Sequence, residues 1–207
     1  MSTSALRQTE GVQAPARGRP PRTSHDQLAS IALTLFVRDG FDETTLDDIA
    51  TAVGVGRRTL FRYFSSKNDL VWGNFDGVLE RLRAELAAAD PKEPMMETLG
   101  RAVVASNTYE GEALEELRLR MTLITRVPAL QAHSMVRYAD WRRVVAEFVA
   151  ERLGQDPDDL IPLTVGHMAL GASMSAFVRW VSHPDEDLLA HLRTGYAHLA
   201  RAFEGPR

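Results

Sequence analysis

Residues 54–67 read GVGRRTLFRYFSSK, a run with three arginines, one lysine, three aromatic residues and no carboxylate. The chain around it is acidic: 207 residues carry 24 Lys and Arg against 28 Asp and Glu, a formal net charge of -4. The excess of acid lies C-terminal to this run, because residues 1–72 sum to about +1 and residues 73–207 to about -5. A chain of this balance does not coat nucleic acid indiscriminately. A local basic face can nevertheless supply the phosphate contacts of a site-specific binder.

Reading N-terminally from the run, Thr45 with Asp48 makes a capping box that opens a helix over 46–53, with Leu46, Ile49, Ala50 and Val53 as its apolar positions. Gly54-Val55-Gly56 stops it, and a second short helix follows over 57–63. Two short helices joined by a Gly-containing turn form a helix-turn-helix, whose second member enters the DNA major groove. On a helical wheel Leu60, Phe61 and Phe64 share one arc and are expected to face a small core. Arg58 and Arg62 share another, with Thr59 and Tyr63 beside them. Arg57 falls on the apolar arc by angle, but at the first turn it can project past the helix end toward a groove. Arginine binds guanine O6/N7 as a fork, or binds phosphate; threonine and tyrosine hydroxyls reach bases or backbone. Thr45 and Lys67 sit at helix starts, where phosphates meet helix N-termini. The bland alternative is a solvated basic helix face with no partner.

Further out, Ser24 with Gln27 caps a helix that Gly40 ends, carrying Leu28, Ile31, Ala32, Leu35 and Phe36 at helical spacing. Ser66 with Asp69 opens a helix expected to run through Trp72, Phe75, Leu79, Leu82 and Leu86 to about Ala89. More helices are expected near 95–108, 112–126, 128–153, 159–181 and 186–203, with Pro128, Gly154 and Pro184 as punctuation and no convincing strand. The expectation is an all-α chain of about nine helices. It divides into a Pro- and Gly-rich basic arm (1–22), a three-helix head (23–70) and a helical bundle (71–207). No apolar signal segment is visible at the start, and a cysteine count of zero excludes disulfides and thiolate metal sites. Both fit a cytoplasmic protein. The run from Leu160 to Val178 lacks formal charge, but Pro162, Gly166, His167, Gly171, Ser173 and Ser175 make it a buried helix rather than a membrane span.

With these residues in hand, ALTLFVRDGFDETTLDDIATAVGVGRRTLFRYFSSKNDL (32–70) strongly resembles the TetR family of one-component bacterial regulators. The resemblance implies a homodimer with a DNA-reading head and a helical ligand domain, and repression relieved by a small molecule. Carried over by position, the DNA-facing residues are Thr45, Arg57, Arg58, Thr59, Arg62, Tyr63 and Lys67. Gly56 stands where a Ser often caps the third helix, and Phe61 where a Tyr often reaches phosphate, so each departure removes a possible contact. Arg17-Gly-Arg19-Pro matches the core of minor-groove AT-hook peptides, which gives the arm a DNA role through Arg17 and Arg19; a solubilising tail is the alternative. The C-terminal part, notably VPALQAHSMVRYADWRRVVAEFVAERLG (127–154), looks like the regulators associated with mycofactocin gene clusters. That subgroup is described as binding acyl-CoA-like ligands.

A ligand cavity is expected between the middle helices, with Asn107, Met121, Ser134, Tyr138, Trp141, Met168 and Ala172 as lining candidates, although an apolar stripe of this kind is ordinarily core. Arg118, Arg120, Arg126, Arg137, Arg142 and Arg143 are the cations that acyl-CoA phosphates would need. The small-residue helix at 159–181, with that at 186–203, is expected to pair across a two-fold axis. The motifs G-x-x-x-x-G-K-[ST], H-E-x-x-H and G-x-S-x-G are absent, so no enzyme is expected. Asp187, His191 and His198 share a helix face but are not expected to hold a metal. No cofactor and no membrane partner are expected. The partners are operator DNA, a hydrophobic effector and a second copy of the chain.

Overall fold

The computed structural model describes residues 24–203. Over that span the chain forms ten helices and no strand: α1 (His25–Asp39), α2 (Leu46–Val53), α3 (Arg57–Tyr63), α4 (Lys67–Trp72), α5 (Phe75–Ala87), α6 (Met95–Ser106), α7 (Gly111–Arg126), α8 (Pro128–Leu153), α9 (Leu160–Ser182) and α10 (Leu188–Phe203). The basic arm, with Arg17 and Arg19, lies outside the described residues.

The all-α expectation holds, and the helix starts follow their caps. Ser24 and Gln27 close a reciprocal box at α1, as Thr45 and Asp48 do at α2, and Ser66 accepts the Asp69 N–H at α4. Leu28, Leu33 and Phe36 of α1, Ile49 of α2, Leu60 of α3 and Phe64 bury a small core between the first three helices.

One element differs. The helix expected from Ser66 to Ala89 is two helices, so there are ten rather than nine. Gly73 adopts φ 53°, and Asn74 caps a new start by accepting the Gly77 N–H at 3.0 Å. The apolar period continues through Trp72, Phe75 and Leu79 on both sides of the break, which hides it from periodicity.

In the C-terminal part, α9 lies between α8 and α10, and α10 also packs on α6. By length and composition α9 is apolar enough to cross a membrane. Its Val165, Ala169 and Trp180 are nevertheless fully buried against neighbouring helices. Its other face leaves Leu160, Ile161, Leu163, Met168 and Val178 exposed. The Tyr196 hydroxyl of α10 ties the two helices together, donating to the Ala169 carbonyl (3.0 Å) and lying 2.9 Å from Ser173 Oγ. Burial pushes this phenol well above its ordinary pKa, so it stays neutral. Tyr196→Phe leaves the buried Ser173 Oγ without its Tyr196 partner. It is expected to cost about 1–3 kcal/mol, a fall of roughly 2–10 °C in Tm by calorimetry.

Candidate functional site

Two features stand apart from the packed core, and the first is the α2–α3 face. Gly54 ends α2 with φ 74°, its N–H returned to the Ala50 and Thr51 carbonyls, and Gly56 starts α3 with no side-chain cap. The turn sets α3 across α2 with only Leu60 of α3 fully buried. Arg57, Arg58 and Arg62 are exposed, while Thr59 and Tyr63 are half-buried beside them. The structure therefore brings five of the expected residues onto one helix. They differ in their engagements. Arg57 pairs with Asp47 of α2 at 3.0 Å. Arg62 lies over the Tyr63 ring at 5.2 Å. Arg58 makes no ion pair or side-chain hydrogen bond among the described residues.

One expectation at this face needs correction, and two further residues carry engagements that the sequence does not announce. Phe61 does not enter the core: it is 45% exposed, under the Arg57 guanidinium at 5.5 Å. Within the head, a seven-residue helix packed on α2 has a buried stripe only as wide as Leu60 and the following Phe64. Lys67, at the start of α4, is engaged within the head. Its ammonium donates to the carbonyls of Phe41 (2.7 Å) and Thr44 (3.2 Å) and sits 4.4 Å from the Phe41 ring, clamping α4 to the α1–α2 turn. The Thr45 hydroxyl is occupied by its cap, donating to Asp48 Oδ2 at 2.6 Å. That bond and the Thr45 N–H hold the Asp48 carboxyl below its usual range.

The second feature is a cavity of about 330 Å³. Its walls come from α1 (Asp26, Ala29), the α4–α5 junction (Trp72, Gly73, Asn74, Phe75), α7 (Leu117, Met121, Ile124), α8 (Tyr138, Trp141) and α9 (Leu170, Ser173, Met174, Phe177), with Asn107, Tyr109 and Arg81 among the polar residues. Of the expected lining residues, Asn107, Met121, Tyr138 and Trp141 are there. Ser134, Met168 and Ala172 are not. Ser134 is buried nearby but spends its hydroxyl on the Gln131 carbonyl at 2.6 Å. Met168 is on the outer face of α9, 38% exposed. Ala172 faces Gly195 of α10. Because α9 is apolar nearly all round, its sequence carries no phase to say which side turns inward. Burial pushes the Tyr138 phenol far up, and its ring stands edge-on to Trp72 at 5.2 Å.

The cations expected for a polyphosphate are mostly spent inside the fold. Arg118 donates to the Trp180 and Pro184 carbonyls, Arg137 pairs with Asp69, and Arg143 with Glu147 and Asp158. Arg120 is buried at the cavity wall, bonded to the Val71 carbonyl and Glu116. Its burial lowers the guanidinium pKa, partly offset by Glu116. Arg81, missed by sequence reasoning, lines the cavity and bonds Tyr109. Between head and bundle, Asp69 of α4 holds Arg137 of α8 at 2.8 Å and takes a hydrogen bond from Ser66. Its burial would raise the carboxyl, but these bonds bring it below the usual range.

Among the described residues no three metal-ligating side chains come together. Asp187 instead accepts the Leu189 and Ala190 N–H groups at the start of α10, and His198 Nδ1 lies 2.8 Å from the Thr194 carbonyl.

With this geometry in place, comparison with known proteins is informative. Residues 29–71 match the family model described as bacterial regulatory proteins, tetR family, and residues 93–204 match that of the MftR C-terminal domain. A Mycobacterium tuberculosis protein that carries the name of mycofactocin biosynthesis transcriptional regulator, MftR, is 40% identical over 164 residues, 79% of this chain and 83% of that one. Among solved structures, the fatty acid degradation regulator FadR from Bacillus halodurans superposes with a TM-score of 0.66 at 18% identity, covering 92% of this chain and 100% of that one. Thermus thermophilus FadR, in complex with lauroyl-CoA, gives 0.57 at 22% identity over 89% and 96%. At such identities these two likenesses establish the fold alone. A helix-turn-helix head joined to a helical bundle, matched over both parts, places the chain in the TetR family of transcriptional regulators, with an MftR-type C-terminal domain, and makes it a regulator rather than an enzyme.

Proposed function

We propose that the protein is a homodimeric repressor whose α3 helices read the two halves of a near-palindromic operator in successive major grooves, and which a hydrophobic effector releases. The observation that carries this reading is the placement of the cavity. Its wall includes Ala29 of α1 and Trp72 at the end of α4, both part of the packing that seats the head. An occupant that prefers one setting of these helices biases the spacing of two heads across a dimer. The bias is limited to its differential affinity for the two settings. Dimerisation through α9 and α10 is supported by the exposed apolar face of α9, where Leu160, Ile161 and Val178 are each 48% or more accessible. The same pairing would cover that face in a cytoplasmic protein with no membrane partner.

For the effector, a long-chain acyl-CoA is the first reading. It is supported by aromatic and aliphatic walls around about 330 Å³, within the ~300–1,000 Å³ common for ligand pockets, and by the lauroyl-CoA in the Thermus thermophilus relative. The internal engagement of Arg118, Arg137 and Arg143 favours a second reading, a hydrophobic effector without a polyphosphate. Fluorescence anisotropy on the DNA upstream of the gene, with lauroyl-CoA and with lauric acid, tests both. Tight binding weakened at least about 10-fold by lauroyl-CoA alone supports the first, a shift of about 1.4 kcal/mol. Equal weakening by lauric acid supports the second. Tight binding indifferent to both removes the fatty-acyl class, and absence of tight binding removes the repressor reading.

A further inference from the structure

The basic residues of α3 are not equivalent, and the difference lies in a carboxylate on α2. Asp47, in the first turn of α2, meets Arg57, the first residue of α3, with Arg57 Nη1 at 3.0 Å from Oδ2 and 3.4 Å from Oδ1. Both side chains remain exposed, at 57% for Arg57 and 64% for Asp47. The same guanidinium lies over the Phe61 ring, 5.5 Å from its centroid. Only Nη1 is spent: Nε and Nη2 make no hydrogen bond among the described residues. Those two parallel N–H groups form the fork that matches O6 and N7 of guanine. They sit at the N-terminal end of the recognition helix, the end from which base edges are read.

Charge points the same way. An Arg–Asp pair is close to neutral, so it releases few counterions from DNA and adds little to phosphate attraction. A carboxylate at this face in fact repels phosphate. What the pair can add is direction, since an arginine fixed by a carboxylate and a ring loses less freedom when it forks onto a base. Arg58, which has no partner among the described residues, and Arg62, which has only Tyr63, keep their full charge for the backbone.

We propose that Arg57 is the base-reading residue, recognising a guanine in each half-site, and that Asp47 is a positioning residue that sets its fork. This rests on the DNA-reading role proposed above. Enrichment of bound duplexes from a randomised 24-base-pair library, by the full chain and by Asp47→Asn and Arg57→Ala, tests it. The unaltered protein should enrich a two-fold motif with guanine at one symmetric pair of positions. Both variants should lose that preference by about 5- to 150-fold per half-site and keep the preferences elsewhere. Asp47→Asn should also bind random-sequence duplex more tightly, because it removes one negative charge per head. Its Tm should move by no more than about 3 °C, as exposed ion pairs contribute little to folding.

A merely structural pair would lower Tm and leave the motif intact. Retention of the guanine preference by Asp47→Asn overturns the positioning role, and retention by Arg57→Ala overturns the base-reading role. A motif without a symmetric guanine overturns both while leaving DNA reading in place. No enriched motif from the unaltered protein overturns DNA reading itself.

Discussion

Arg62→Ala is expected to weaken operator binding by at least about 100-fold while leaving the fold intact. Arg62 is exposed, and its contacts are the Tyr63 ring at 5.2 Å and a long 3.5 Å approach to the Tyr63 hydroxyl. Truncation therefore opens no cavity and strands no buried group, and Tm should change by no more than about 2 °C. On DNA the loss is large because a charge-assisted hydrogen bond is worth about 1.5–3 kcal/mol and a dimer makes it twice. If Arg62 holds phosphate, as the division of roles on α3 suggests, the loss applies to specific and random duplexes alike. The slope of log affinity against log salt should then fall by about 2, one contact per head. Anisotropy titrations at several salt concentrations read both quantities. Unchanged affinity would remove α3 as the DNA-facing helix. Loss of effector binding in the same variant would show that head and bundle are not independent.

Much of the head was legible because its signals are local. Capping boxes span four residues, and Ser24–Gln27 and Thr45–Asp48 formed as read, with Gly54 stopping α2 where expected. Most of the differences are non-local. Nothing near Lys67 in sequence announces that the Phe41 and Thr44 carbonyls, more than 20 residues away, will consume its donors. A wheel gives the direction in which Phe61 points but not the width of the surface that α2 offers it. The break at Gly73 had a readable cap in Asn74, yet an unbroken apolar period outweighed one glycine.

The cavity shows the same limit more sharply. Tyr138 and Trp141 follow from the spacing that sets Ser134, Tyr138, Trp141, Val145 and Phe148 on one face of α8. Helix α9 is apolar nearly all round, so its sequence offers Met168 and Ala172 as readily as Leu170, Ser173, Met174 and Phe177, which form the wall. The walls from α1 and the α4–α5 junction could not be found from sequence at all, since they depend on how the head docks. That docking is also what lets one cavity touch both the head and the bundle.

Arg120→Ala is expected to be the most destabilising single change at this junction and to blunt the effector response. The guanidinium is largely buried, its side chain 15% accessible, and it spends its donors on Glu116 of its own helix and on the Val71 carbonyl near the end of α4. A helix end leaves such carbonyls without an intrahelical partner, and Arg120 supplies one. Gly73 lies against it so closely that an added Cβ would meet Nη1 at 2.5 Å, so no larger residue fits there without moving the guanidinium. Removing the side chain takes the donor from the Val71 carbonyl and the partner from Glu116, whose side chain is 34% accessible. Losing these charge-assisted bonds in a half-buried site costs about 1.5–3 kcal/mol, a fall of roughly 3–12 °C in Tm. Adding Glu116→Gln should restore part of it, because the uncompensated charge is then gone. The functional effect follows from position: Arg120 is at once cavity wall and the tether between α7 and α4. In the Arg120→Ala, Glu116→Gln double variant, effector affinity by tryptophan fluorescence and operator affinity by anisotropy should both survive. The ratio of operator affinities with and without effector should move toward 1. A ratio equal to that of the unaltered protein would mean that the effector reaches the head by way of α1 or the Asp69–Arg137 pair rather than through this tether.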